Sequence, residues 1–164
     1  MTRRSVLVAA LIALAIVPSI AHAQKLVIVV RHAERADAGM AAQETDPPLS
    51  AAGTARAARL STVLADAGIN AIYVTQYRRT QDTARPLAAK LNLQVAQTPP
   101  SNEALARSLK SQHANDVVLM VGHSNTIPAI IRTLGGPDVT VDDNDFGSIF
   151  FIVPSSKLVT RIHY

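Results

Sequence analysis

The sequence contains no cysteine and no tryptophan, and only 4% of its residues are aromatic. The lack of cysteine excludes disulfides, thiolate metal sites and cysteine nucleophiles, and it is compatible with an oxidising compartment. No run of lysine and arginine is interleaved with aromatic residues. Nucleic-acid binding is therefore not expected.

A hydrophobic run long enough to span a bilayer is also missing. The longest apolar stretch, Val6–Ile20, is shorter than the roughly 20 residues that a transmembrane helix needs. Arg3 and Arg4 precede it, and the small residues of Ala21-His22-Ala23 follow it, as in a signal peptide with its cleavage site. We predict a signal peptide over residues 1–23 and export to a bacterial periplasm or the medium, without stable membrane insertion after cleavage. An uncleaved anchor is the alternative.

Residues 24–164 are predicted to form one domain. Removing residues 1–23 from the 164 leaves 141, enough for a substantial core. Losing Arg3 and Arg4 lowers the formal charge from +4 to +2. The remaining chain is thus only mildly basic.

Apolar runs alternate with segments of helical pattern. We predict helices over Ser50–Leu64 (with Gly68 as C-cap), from Arg79 to Leu91, over Glu103–His113 and over Thr126–Leu134. Predicted strands are Leu26–Val30, Ala71–Val74, Leu93–Gln97, Val117–Val121, Ser148–Val153 and Leu158–His163, the last two forming a hairpin. This alternation predicts an α/β fold, a three-layer sandwich with a largely parallel central sheet flanked by helices.

Polar residues follow three of the predicted strands. Arg31-His32 ends the first strand, Thr75 and Arg79 follow the second, and His123 ends the clearest buried strand. The carboxyl ends of parallel strands lie on one edge of a sheet, so these residues can converge. Two histidines with two arginines suit a phosphoryl group, because arginine binds phosphate oxygens bidentately and a neutral imidazole can attack phosphorus. Such a scheme needs no metal ion.

Four motifs carry a resemblance to a known family. They are Arg31-His32-Ala33-Glu34, Leu49-Ser50-x-x-Gly53, the segment from Thr75 to Ala84, and Gly122-His123-Ser124-Asn125. In this order and over nearly the whole predicted domain, they resemble the histidine phosphatase superfamily, which includes the phosphoglycerate mutases. The chain departs from the family pattern where Ala33 replaces Gly, Thr75 replaces Ser and Asp82 replaces Gln.

The resemblance implies a phosphatase of phosphomonoesters or of a phosphoprotein. His32 would be the nucleophile that becomes phosphohistidine, while Arg31, Arg79 and His123 bind the phosphoryl group. Ser124 and Asn125 can add donors from the following helix start. No cofactor or metal is implied.

The acid that protonates the leaving oxygen is less defined. Family members often carry it in the region that here offers Glu103. The alternative for Glu103 is a structural carboxylate in the first turn of a helix. Asp142, Asp143 and Asp145 are interpreted as a solvated loop, and His113 as a solvated residue at a helix end.

Two other functions are compatible with parts of the sequence. A non-catalytic domain could bind phosphate or a phosphoprotein without turnover. A serine hydrolase could use Ser124, which follows a strand much as the nucleophile does in a Gly-x-Ser-x-Gly elbow, with Asp142 or Asp145 and then His163 in chain order. That second alternative leaves Arg31, His32 and Arg79 unexplained.

Overall fold

The computed structural model describes residues 25–36 and 46–164. The predicted signal peptide lies outside these residues. The described elements, in chain order, are β1 (Leu26–Arg31), α1 (Ala51–Val63), β2 (Ile69–Val74), α2 (Arg78–Leu91), β3 (Val95–Gln97), α3 (Asn102–Gln112), β4 (Val117–Gly122), α4 (Ile127–Thr133), β5 (Ser148–Val153) and β6 (Leu158–His163). In the described ranges, no helix is long and apolar enough to cross a membrane.

The six strands form one sheet in the order β3-β2-β4-β1-β5-β6. The first four strands in this order, β3, β2, β4 and β1, run parallel to one another and are connected through helices. The hairpin of β5 and β6 adds two antiparallel strands beside β1. β1 and β4 lie in the middle of the sheet, and their valine-rich sequences match this position because both faces of a central strand are buried.

Helices cover both faces of the sheet. Alternate strand residues such as Ile28 and Leu119 pack with Leu60 of α1 and Leu87 of α2 in one core. Their neighbours along the strands point to the opposite face, where the core includes residues of α3 and α4. The prediction of a three-layer α/β sandwich is thus confirmed.

Helix α1 begins as predicted and ends earlier than predicted. The Ser50 side chain caps it by accepting a hydrogen bond from the Gly53 amide at 3.0 Å. Its last residue is Val63 and its C-cap is Leu64. Gly68, predicted to be the C-cap, instead lies just before β2, where its φ of 70° uses the left-handed freedom of glycine.

Gly53 allows α1 to approach the segment that follows β1. A Cβ atom built on Gly53 would lie only 2.2 Å from the carbonyl oxygen of Glu34. That same oxygen accepts a hydrogen bond from the Ser50 amide at 2.9 Å. The glycine of the Leu-Ser-x-x-Gly motif is therefore needed for the contact between α1 and the Arg31–Glu34 motif.

We expect Gly53→Ala to lower the free energy of unfolding by about 1–3 kcal/mol, because the added methyl group forces backbone to move. Urea unfolding followed by circular dichroism measures this change. Ala55→Ser, at an exposed position of the same helix, should stay within about 0.5 kcal/mol of the parent protein. Equal stability of Gly53→Ala and Ala55→Ser would contradict this role of Gly53.

Candidate active site

The two histidines of the motifs are brought together by the pairing of β1 with β4. Arg31 lies opposite Gly122 in the parallel register, so each strand ends just before its histidine. The His32 amide donates to the Gly122 carbonyl at 2.9 Å and extends the pairing by one bond. The centroids of the His32 and His123 rings are 5.2 Å apart. Both imidazoles therefore face the same small space at the carboxyl edge of the sheet.

The main chain fixes the tautomer of His32. Its Nδ1 atom lies 2.8 Å from the carbonyl oxygen of Ala33, which can only accept a hydrogen bond. Nδ1 therefore carries the proton, and Nε2 of the neutral ring has a lone pair. Burial lowers the pKa of His32 to about 4, and the positive charges of Arg79 and Arg31 contribute in the same direction. At neutral pH this side chain is therefore neutral, and the lone pair on Nε2 has a fixed direction.

His123 is held by hydroxyl groups. Its Nε2 lies 3.1 Å from Oγ1 of Thr75, and this hydroxyl is 2.9 Å from Oγ1 of Thr80, which is fully buried. Burial lowers the pKa of His123 to about 4, again with contributions from Arg79 and Arg31. The threonine that replaces the family serine thus keeps a hydroxyl on the second histidine.

Arg31 is held by the connection between α4 and β5. Its Nη1 donates to the carbonyl oxygens of Asp142 at 3.1 Å and Asp143 at 2.5 Å. The guanidinium lies 4.0 Å from the centroid of the Phe146 ring. Its Nε is buried and has no hydrogen-bond partner among the described residues. Burial is the largest influence on the pKa of Arg31 and lowers it, because it outweighs the charges of the Asp143, Asp145 and Asp142 carboxylates, which act in the opposite direction.

Arg79 reaches the site from the first turn of α2. Its guanidinium lies 4.1 Å from the centroid of the Tyr77 ring and 3.5 Å from Oδ1 of Asp46. Asp46 also accepts the Arg78 amide through both carboxylate oxygens, at 3.0 and 2.8 Å. The aromatic ring and the carboxylate together orient Arg79.

The backbone of the Arg31–Glu34 motif is braced by side chains from both helices on one face. The Glu34 carboxylate accepts from Nε of Arg56 at 2.9 and 3.0 Å and pairs with its Nη2 at 2.7 Å. Burial is the largest single influence and would raise the pKa of Glu34, but the hydrogen bonds from Arg56 and from the main chain, together with the charges of Arg56 and Arg31, outweigh it and lower the net pKa. Oγ1 of Thr83 accepts the Ala33 amide at 2.9 Å. Glu34 is therefore a structural anion, whose carboxylate is engaged by Arg56.

The two histidines and the two arginines described above line one pocket of about 660 Å³. It is lined by Arg31, His32, Arg35, Tyr77, Arg79, His123, Ser124, Asn125, Thr126, Asp143, Asn144 and Phe146. Oriented guanidinium groups beside two neutral imidazoles suit a tetrahedral oxyanion such as a phosphoryl group. The pocket thus contains six of the seven residues that the sequence nominated.

The seventh candidate residue, Glu103, lies outside this pocket. It lines a separate cavity and is exposed in the first turn of α3, where Ser101 is the N-cap. Hydrogen bonds from its own amide and from Ser101 lower the pKa of Glu103. A carboxylate that is stabilised as an anion outside the pocket is poorly suited to donate a proton. The geometry therefore favours the helix-start interpretation of Glu103 over the catalytic one.

The residues of a serine-hydrolase triad are not assembled. The Ser124 hydroxyl donates to Oδ1 of Asp143 at 2.6 Å. His163, proposed as the base for that triad, instead lies 3.0 Å from Oγ of Ser148 and lines a neighbouring pocket. Ser148 is itself 2% exposed and bound to Asp145 at 2.7 Å. Geometry does not support Ser124 as a nucleophile activated by His163.

Two interpretations from the sequence need correction. The acidic loop is not merely solvated, because Asp142 and Asp143 hold Arg31 through their carbonyls and the Asp145 side chain is only 9% exposed. His113 is not freely solvated either. It lies 2.9 Å from the Tyr73 hydroxyl and 2.8 Å from Oδ2 of Asp116. The sequence shows no signal for the contact of Asp142 with Arg31 or of His113 with Tyr73, because these partners are 111 and 40 positions apart along the chain.

The residues 25–36 and 46–164 contain no group of three or more histidine, aspartate or glutamate side chains that could hold a metal ion. The positive charge of this site comes from its arginines.

The arginines and neutral imidazoles at the carboxyl edge of this α/β sheet are suited to binding a phosphoryl group, as in proteins that act on phosphorylated compounds. The family model of the histidine phosphatase superfamily (branch 1) matches residues 27–105, which include Arg31, His32 and Arg79. The segment around His123 follows the matched residues. The chain belongs to the histidine phosphatase superfamily. The resemblance found in the motifs is thereby confirmed. No curated protein matches the chain in sequence.

Solved structures share the fold at low sequence identity. The protein histidine phosphatase SixA complexed with tungstate is 19% identical with a TM-score of 0.64, over 84% of this chain and 94% of that chain. Phosphoserine phosphatase from Entamoeba histolytica in complex with 3-phosphoglyceric acid is 16% identical with a TM-score of 0.63, over 84% and 94%. Mycobacterial glucosyl-3-phosphoglycerate phosphatase is 16% identical with a TM-score of 0.59, over 77% and 89%.

We expect the rings of His32 and His123 to stay neutral down to about pH 5, because their pKa values are both about 4. The unfolded chain takes up these protons near pH 6.5, so stability falls as the pH drops from about 6.5 towards 4. NMR titration of the imidazole C–H signals, assigned with His32→Ala and His123→Ala, measures both pKa values. Titration of either ring above pH 6 in the ligand-free protein would contradict the expectation.

Proposed function

We propose that this protein hydrolyses phosphomonoesters, or the phosphoryl group of a phosphoprotein, through a phosphohistidine on His32. The family and its phosphatases support a phosphatase activity. The observation that carries the finer proposal is the arrangement of the pocket. Nε2 of His32 carries a lone pair in the same pocket as Arg31 and Arg79, and the centroids of the His32 and His123 rings are 5.2 Å apart.

Each residue has a distinct task in this proposal. Nε2 of His32 attacks phosphorus and displaces the leaving oxygen, which divides the hydrolysis into two displacements. Arg31 and Arg79 donate to the equatorial oxygens, and His123 adds a third polar contact to them. Ser124 and Asn125, on the wall beside His123, add donors for the phosphoryl group or the leaving group, Ser124 through its amide because its hydroxyl donates to Asp143. Water then attacks the phosphohistidine.

The proposed reaction uses no metal ion. A metal would serve to neutralise the phosphoryl oxygens and to activate water. Here two guanidinium groups neutralise the oxygens, and the nucleophile is an imidazole that is already neutral at pH 7. The proposal therefore includes activity in the presence of a chelator.

Phosphorylated small molecules and phosphoproteins are the proposed substrates. The printed names of the structural neighbours include a protein histidine phosphatase and a phosphoserine phosphatase. The pocket of this chain is bounded by the rings of Tyr77 and Phe146 and by the polar side chains of Asn125 and Asn144. Such a lining accepts leaving groups of mixed polarity.

Brief incubation with a ³²P-labelled phosphomonoester in EDTA, followed by rapid quenching, should yield an acid-labile phosphoenzyme. We expect this label to disappear in His32→Ala, because the attacking nitrogen is gone. The label should persist in His113→Ala, whose imidazole lies with Tyr73 and Asp116 outside the pocket. Mass spectrometry after gentle alkaline digestion locates the phosphorylated residue.

Label retained in His32→Ala would reject the nucleophile assignment. Binding of phosphate by the wild-type protein without label or turnover over a broad panel of phosphoesters would instead favour the non-catalytic alternative. Loss of label in EDTA, with recovery on adding a divalent cation, would contradict the metal-free reaction.

We also propose export, with cleavage after Ala23. The arginines of residues 1–4, the apolar run and the small residues before Gln24 support this. Expression of the full chain in a Gram-negative host should give a periplasmic protein that begins at Gln24, as read by intact-mass measurement. Recovery of the full-length mass from the cytoplasmic fraction, or from the membrane, would contradict it.

A further inference from the structure

The proposed reaction needs a proton donor for the leaving oxygen, and no residue has yet been given that role. When Nε2 of His32 displaces an alkoxide, the departing oxygen needs a proton. Nε2 cannot supply it, since it forms the bond to phosphorus, and Nδ1–H is directed at the Ala33 carbonyl. Arginines do not release protons at neutral pH. The donor must therefore be another group near the mouth of the pocket.

The carboxyl groups around the site are mostly committed elsewhere. Glu34 is engaged by Arg56 through contacts of 2.7 to 3.0 Å. Asp46 accepts the Arg78 amide with both oxygens and pairs with Arg79. Both carboxylates are engaged by the groups that they position. Glu103 lines a different cavity.

Asp143 differs from these carboxyl groups because it lines the pocket itself. Among the pocket-lining residues of the described chain, it is the one carboxylic acid. Its carbonyl oxygen holds Nη1 of Arg31 at 2.5 Å, so its backbone is anchored to a guanidinium of the proposed phosphate site. Its Oδ1 accepts the Ser124 hydroxyl at 2.6 Å, which ties the side chain to the residue after His123. Asp143 is also exposed, as a donor to a leaving group at the pocket mouth must be.

We propose that Asp143 is the catalytic residue that protonates the leaving oxygen and then accepts a proton from the attacking water, with Ser124 as its positioning residue. This inference rests on the proposed function. A negative charge beside a carboxylate favours its protonated form. A phosphoryl group bound in the pocket would place such a charge beside Asp143.

The two steps balance. In the first, Nε2 of His32 bonds to phosphorus, the ester P–O bond breaks with its electron pair on the leaving oxygen, and that oxygen takes the proton of Asp143. In the second, the Asp143 carboxylate takes a proton from water while the water oxygen bonds to phosphorus. The N–P bond breaks with its electron pair returning to Nε2. The products are an alcohol and inorganic phosphate, with both residues restored.

The dependence on leaving group distinguishes this role from a structural one. The full-length wild-type chain and Asp143→Asn are compared in single-turnover experiments with phosphoserine and with 4-nitrophenyl phosphate. An alkoxide needs a proton to leave, whereas 4-nitrophenolate departs without one. We expect Asp143→Asn to lose about 100-fold or more in the rate of phosphoenzyme formation from phosphoserine, and less than about 10-fold from 4-nitrophenyl phosphate.

The second step gives a further signature. Without a base for water, the phosphohistidine of Asp143→Asn should persist and accumulate after a burst of one 4-nitrophenolate per site. Ser124→Ala, which removes the hydrogen bond to Oδ1 but keeps the carboxyl, should show the same selectivity between substrates with a smaller loss. Asp138→Asn is the matched control, because Asp138 is an exposed carboxylate between α4 and β5 that pairs with Arg132. It should behave as wild type.

Equal losses for both substrates in Asp143→Asn, or no loss, would overturn the assignment of Asp143 while leaving His32 as nucleophile. Failure of the wild-type chain to form phosphohistidine from either substrate would overturn the proposed function and this inference together.

Discussion

The site depends on the parallel pairing of β1 with β4. This pairing is set by two valine-rich strands in the centre of the sheet, and it ends with the bond from the His32 amide to the Gly122 carbonyl. A slip of one residue would turn one histidine to the other face of the sheet, because side chains alternate along a strand. The core on both faces therefore fixes the relation between the two imidazoles. Hydrophobic burial far from the pocket determines its geometry.

Around this pair, separate parts of the chain each hold one charged group. Helix α1 supplies Arg56 for Glu34, helix α2 presents Arg79 against Tyr77, and the connection between α4 and β5 encloses Arg31 with carbonyls and Phe146. Main-chain carbonyls orient Arg31 through direct hydrogen bonds, whereas the carboxylates of the same loop act on it only through their charge. A carboxylate in the same place would compete with the phosphoryl oxygens. The local structure thus keeps the guanidinium both oriented and attractive to an anion.

The sequence predicts the fold and the nominated pocket residues well, because both follow from local patterns. Apolar runs reveal the buried strands, and motif spacing identifies His32, Arg79 and His123. The position of Asp143 in an acidic loop predicts a solvated residue. The sequence does not reveal its contacts, because Ser124 lies 19 positions away and Arg31 lies 112 positions away. Glu103 shows the reverse case. The sequence is compatible with either a catalytic role or a structural role in the first turn of the helix, and only the position of Glu103 outside the pocket separates the two.

The aromatic rings beneath Arg31 and Arg79 have a consequence for turnover. Each ring limits the rotamers of a long side chain, so less conformational entropy is lost when an anion binds. This advantage is not restricted to the ester, since free phosphate offers the same tetrahedron of oxygens. A site that is rigid towards substrate in this way also binds its product well, and the concentration of inorganic phosphate around the protein then sets the fraction of molecules whose pocket is empty.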